Sequence, residues 1–157
     1  MRPMPCKRVK LRRQRGIAAV EFALISVLLS TLLMAGSEFG RAVFQYNTLA
    51  KSVRAAARHL SQFPPGHEAA IAQARLLAVY ASTTDTGTAV VPGLTTGMVA
   101  ICDASNCDAN KRQSTGQTRV NLVTVTVSGV RFVPVASWVL PAFTFDSVSV
   151  TMPQGLA

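Results

Sequence analysis

Residues 17–36 read IAAVEFALISVLLSTLLMAG, twenty positions with one ionisable side chain, Glu21. Written as a helix at 1.5 Å per residue, this run is about 30 Å long, the thickness of a bilayer's hydrocarbon core. Ile17, Val20, Phe22, Leu24, Ile25, Val27, Leu28, Leu29, Leu32 and Leu33 contribute roughly −3 to −6 kcal/mol to insertion. An acid at the bilayer centre costs roughly +2.5 to +3.5 kcal/mol, and less near an end. Glu21 lies near one end, so the segment is expected to insert in spite of it.

Upstream of this run the charge is one-sided. The 157-residue chain has 16 basic and 7 acidic residues, a formal +9. Seven of the basic residues, Arg2, Lys7, Arg8, Lys10, Arg12, Arg13 and Arg15, stand in the first 16 positions, which contain no acid. The remaining 141 residues carry nine basic and seven acidic side chains, a net +2. The basicity therefore belongs to a leader and not to a nucleic-acid-binding domain. That leader has no aromatic residue to stack on a base and runs directly into apolar sequence, which fits the cytoplasmic flank of a membrane segment. No nucleic-acid partner is expected. The N-terminus is expected in the cytoplasm and the remainder across the membrane.

Downstream, the helical period does not stop at the membrane edge. Phe39, Val43, Tyr46, Leu49/Ala50, Val53, Ala56/Ala57 and Leu60 recur at three- and four-residue steps. Glu38, Arg41, Gln45, Lys51, Arg54 and Arg58 are read as the other faces. One helix is predicted to about Ser61, ended by Phe63-Pro64-Pro65-Gly66. The alternative is a cleavable secretory signal, cut after the small residues Ala35 and Ser37. Against it stand the length of the apolar run, the acid inside it, and a periodicity that carries on past the cut. Small residues four apart, Ala19/Ala23, Ser26/Ser30 and Gly36/Gly40, are candidate helix-packing positions; Gly36 and Gly40 equally suit a soft spot where the helix leaves the bilayer. On position alone, Glu21 is either a docking charge or a headgroup-level acid with no role.

Taken together, the basic leader, Gly16, the IAAVEFAL run with glutamate fifth after that glycine, and the later RAAARHL resemble a family. The leader, glycine and glutamate are similar to the processing site of type IV prepilins and pseudopilins. The stretch from Gly16 to Leu60 resembles the TadE-like proteins of the tight-adherence (Flp) pilus system. The resemblance implies cleavage by a prepilin peptidase between Gly16 and Ile17 on the cytoplasmic side, which discards the leader. It implies a minor pilin or pseudopilin of the inner membrane, partnered by other pilin subunits and the Tad machinery. In that setting the new ammonium on Ile17 and the Glu21 carboxylate of a neighbouring subunit would pair in an apolar bundle, where an unpaired charge is costly. Many type IVa pilins begin with phenylalanine where this chain has Ile17.

Beyond residue 62 only pattern guides the reading. Residues 67–80, HEAAIAQARLLAVY, suit a second helix. Ala89-Val90-Val91 and Met98–Cys102 are short strand candidates, Arg119–Val127 (RVNLVTVTV) alternates clearly, Val130–Val133 follows Gly129, and Phe143–Met152 is a last strand. The proline-bounded stretch from Val133 to Pro141, with its bulky apolar residues, reads as a loop or short turn. The expected fold is α+β and pilin-like: a long transmembrane-to-periplasmic helix, a second short helix, and a small antiparallel sheet packed on the outer half of the long helix. Its parts are a leader at 1–16, a transmembrane helix at 17–36, an amphipathic extension at 37–62 and an exported α+β domain at 67–157. Cys102 and Cys107 flank a short polar loop and suit a disulfide in an oxidising compartment. Metal binding is the rival, but the two histidines, His59 and His67, supply no four-ligand set. Neither a nucleophile elbow, a zinc-protease motif nor a phosphate loop occurs, so neither enzyme activity nor a cofactor is expected. A signal-anchored or secreted periplasmic binding domain unrelated to pili is the competing class.

Overall fold

The structure, a computed structural model, describes residues 15–84, 87–111, 113, 114, 116 and 119–154, with Arg15 described in its backbone only. The leader charges Lys7, Arg8, Lys10, Arg12 and Arg13, and the side chain of Arg15, lie outside the described residues. One helix, α1, runs unbroken over Arg15–Leu60, about 69 Å at 1.5 Å per residue. No break occurs at Gly36 or Gly40. A second helix, α2 (Glu68–Tyr80), is started by His67, whose Nδ1 accepts from the Ala70 backbone N–H at 3.1 Å. It ends on Ala81 in the left-handed region (φ 54°).

The strands are β1 (Val99–Cys102), β2 (Gln113–Ser114), β3 (Arg119–Val127), β4 (Arg131–Phe132), β5 (Phe143–Thr144) and β6 (Val148–Gln154). Central strand β3 pairs antiparallel with β6, Val125 opposite Val150, and with β1, Val125 opposite Ile101. Near its start β3 also pairs with β2. The period-two pattern of β3 sends Val123, Val125 and Val127 into the core. On the opposite face Thr124 and Thr126 bond across to Thr151 and Ser149 of β6.

The outer half of α1, α2 and this sheet share one core. Leu49, Val53, Ala56, Ala57 and Leu60 of α1 meet Ala70, Ala74 and Ala78 of α2 and the three valines of β3. The alanines of α2 recur every four residues, so they form one ridge, and their small size lets α1 approach closely. Full burial of one valine or leucine here stabilises by roughly 1.5–3 kcal/mol. The apolar half of α1 buries nothing: no residue of its most apolar 18-residue window is covered.

Two strand expectations need correction. Residues 89–91 form no strand; Val90 donates to the Val79 carbonyl, and Val91 drops into the core beside the end of α2. The final run is not one strand but two. At Gly129 (φ 79°) the chain turns away from β3, so β4 and β5 pair as a separate ribbon, Phe132 opposite Phe143. The chain rejoins the main sheet at Val148, after Asp146 caps the Ser147 N–H at 2.7 Å. Alternation identifies extended chain here but does not register the change of partner.

Candidate functional site

At the start of α1, Gly16 and Ile17 lie in the first helical turn, where the backbone N–H groups have no intrahelical acceptor. Ile17 is 72% exposed. Glu21 stands four residues on, so its side chain sits one turn along on the same face, exposed and with no partner among the described residues. Ala19, Ala23, Gly36 and Gly40 are exposed too, and a Cβ added at either glycine would meet nothing within 4 Å. These positions are thus open, and among the described residues nothing packs on them. The hydroxyls in the segment are satisfied locally: Ser26 donates to the Ala23 carbonyl, Ser30 to Ser26 and Thr31 to Leu28, at 2.9, 2.7 and 2.7 Å. That removes the main cost of placing serine and threonine in lipid.

Where the apolar run ends, a second acid governs the geometry, and here the expectation from sequence is overturned. Helical periodicity puts Glu38 on a solvent face; it is 6% exposed and the first buried residue along α1. Its Oε1 accepts from the backbone N–H groups of Val135 and Ala136 at 3.2 and 3.4 Å. Arg41, one turn on, donates through Nη1 to both carboxylate oxygens at 3.2 and 3.1 Å. Its Nη2 reaches the Val133 carbonyl at 3.3 Å, and its guanidinium lies 5.4 Å from the centre of the buried Phe132 ring. Two neighbouring side chains of α1 therefore clamp the 133–136 segment by its backbone. A sequence signal does exist, since glutamate and arginine at i, i+3 can pair, but their partner is a loop nearly a hundred residues away.

Beside the clamp, Tyr46, Phe132, Phe143 and Phe145 form an aromatic cluster with ring centres 5.2 to 6.1 Å apart. An apolar groove of about 440 Å³ opens there, between Phe39, Val43 and Tyr46 of α1 and Leu140 and Phe143.

At the far end of the domain, Cys102 and Cys107 are joined by a disulfide with Cα atoms 5.6 Å apart. Asp103 is the hub of the loop they close: Oδ1 accepts from the Ser105 and Asn106 N–H groups and the Ser105 hydroxyl, and Oδ2 from Gly66 N–H at 2.9 Å. Burial opposes its ionisation, but these hydrogen bonds outweigh burial and hold the carboxyl below its ordinary range. Gly66 is suited to this junction, with φ 77° and Ser105 so close that a Cβ would meet it at 3.3 Å. Asn110 ties the loop to the sheet, donating to the Cys102 carbonyl and to Thr124. His59 and His67 both lie against the Phe63 ring in tilted contact, with ring centres 5.0 and 5.2 Å away, and among the described residues no cluster of three or more His, Cys, Asp or Glu is placed to hold a metal ion.

The family model of TadE-like proteins matches residues 16–58. The match spans the apolar run, Glu38, Arg41 and the helix up to Arg58, and ends before α2. No curated protein and no solved structure gives a significant match. The matched segment is one continuous helix whose first half is bare, apolar and long enough to cross a membrane once. Over residues 16–58, and there alone, the chain is similar to the TadE-like proteins.

Proposed function

We propose that this protein is a minor pilin or pseudopilin of a tight-adherence pilus system, cleaved between Gly16 and Ile17 and joined to other subunits through the inner half of α1. The observation that carries this reading is the contrast within a single helix of TadE-like sequence. Its outer half is covered by the chain's own domain, while its inner half, with Glu21 one turn from Ile17, is covered by none of the described residues. A helix built this way anchors in a bilayer as a monomer and can pack in a bundle as an assembly.

Before the cut, the leader's positive charges oppose withdrawal of the helix from the cytoplasmic face. After it, Ile17 carries one ammonium, and a neighbour's Glu21 can neutralise it in the apolar bundle and fix the stagger between adjacent helices. The scissile bond sits in the first turn, which unwinds at little cost because its N–H groups are not bonded within the helix. The exported domain, with a compact core and a disulfide-closed loop, serves in initiation or assembly and not in catalysis. Prepilin peptidase, the other pilin subunits and the assembly machinery are its partners, and it takes no cofactor.

Glu21→Ala tests the pairing. Cleavage and insertion should persist while co-purification with other subunits falls, because removing one member of a buried pair costs about 3–5 kcal/mol. Undiminished co-assembly of that variant would contradict the role.

A further inference from the structure

We infer that residues 133–141 form a second membrane contact, an interfacial loop that seats Trp138 and Val135 in the headgroup layer on the exported side. This rests on the reading that residues 17–36 span the bilayer, and it assigns a lipid partner to a part of the chain outside the TadE-like match.

The argument begins with depth. The headgroup layer adds about 5–8 Å to each side of the hydrocarbon core. At 1.5 Å per residue, that is the level of roughly three to five helical residues past Gly36, or positions 37–41. Glu38 and Arg41 are in this interval, and they are the two residues that hold the backbone of Val133, Val135 and Ala136. The loop is therefore fixed at headgroup depth by hydrogen bonds from α1 itself.

Its composition suits that depth. Val133, Val135 and Trp138 are 63%, 82% and 68% exposed, a concentration of bare apolar side chains at the edge of a domain whose core is built largely of valine. Phe39, at the same level on α1, is 69% exposed. Tryptophan favours the membrane–water boundary, where its ring meets the acyl region and its N–H the headgroups. Part of the loop's backbone donor capacity is already spent, since the Val135 and Ala136 N–H groups are taken by Glu38, those of Val139 and Leu140 by the Ala136 carbonyl, and Pro134 and Pro141 have none; at headgroup depth the N–H groups of Ser137 and Trp138 can meet water or headgroup oxygens. Arg131, exposed in β4 just before the loop, supplies positive charge for lipid phosphates.

The test uses the one tryptophan of the chain. The intact protein is placed in nanodiscs of phosphatidylethanolamine and phosphatidylglycerol, and Trp138 emission is read against lipids brominated at shallow or deep acyl positions and against acrylamide. Blue-shifted emission, quenched most by shallow bromines and little by acrylamide, is the expected result. Emission at the wavelength of indole in water, quenched by acrylamide and untouched by bromolipids, would overturn the inference. So would blue-shifted emission insensitive to every bromine, which would put a protein neighbour on the loop. A double variant, Trp138→Phe with Leu29→Trp, separates this inference from the reading beneath it, because its only indole lies at position 29, within the span. Quenching of that indole by deep bromines means that the span stands, and the behaviour of Trp138 in the unaltered chain then judges the loop alone. An indole at position 29 that no bromine reaches removes the span and the loop contact together.

Discussion

Two glutamates on one helix, Glu21 and Glu38, do opposite things. Glu21 has an open environment, and Glu38 is buried in a clamp of backbone N–H groups and a guanidinium. Sequence reasoning singles out Glu21, because an acid within an apolar run is conspicuous, and it places Glu38 in solvent, because its neighbours Arg41 and Gln45 read as a polar face. The burial of Glu38 comes from a distant loop, which helical periodicity does not register. Glu38→Gln keeps the shape while weakening both the pairing with Arg41 and the bonds from Val135 and Ala136. We expect it to lower domain stability by about 1–3 kcal/mol in thermal unfolding, with faster amide exchange confined to 133–136. Asp103 gives a pH signature. Its folded-state pKa lies below the ordinary 3.8, so the unfolded chain takes up a proton first as pH falls, and the stability that the carboxylate contributes at neutral pH is lost below about pH 4. Asp103→Asn should lower stability at pH 7 and flatten this acid dependence, as measured by unfolding across pH 3–6.

The elements are legible wherever their signal is local. The 3.6-residue period locates the end of α1 within about a residue of Leu60, the alternation marks β3 residue for residue, and the spacing of Cys102 and Cys107 points to a bridge that the fold holds. What escapes depends on partners: Val91 is core without being strand, and the run from Phe143 divides between two sheets because Gly129 redirects the chain. The loop at 103–106 can be tested by itself. For a bridge between cysteines five positions apart, chain entropy gives about 2 kcal/mol. Reduction, or paired Cys102→Ser and Cys107→Ser substitution, should lower unfolding stability by that order while leaving the sheet's circular dichroism intact, since Asp103 and Asn110 still hold the loop.

At the level of the whole molecule, the chain divides by what covers it. From Ala42 outward, α1 is part of a core completed by α2 and β3; inward of Glu38 it is bare. The TadE-like match runs across both halves, so the bare one lies within the matched segment. On the proposed function, the chemistry of that bare half turns on the cut between Gly16 and Ile17. With the leader in place, a block of arginines precedes Glu21 in the sequence; with the leader gone, a single ammonium on Ile17 takes its place. The direct test is the intact mass and N-terminal sequence of the protein recovered from the membranes of cells that carry the prepilin peptidase. A chain beginning at Ile17, and an uncut one when the peptidase is absent, is the predicted result. A chain that keeps its leader in both cells, or one that begins near Glu38, would contradict the account.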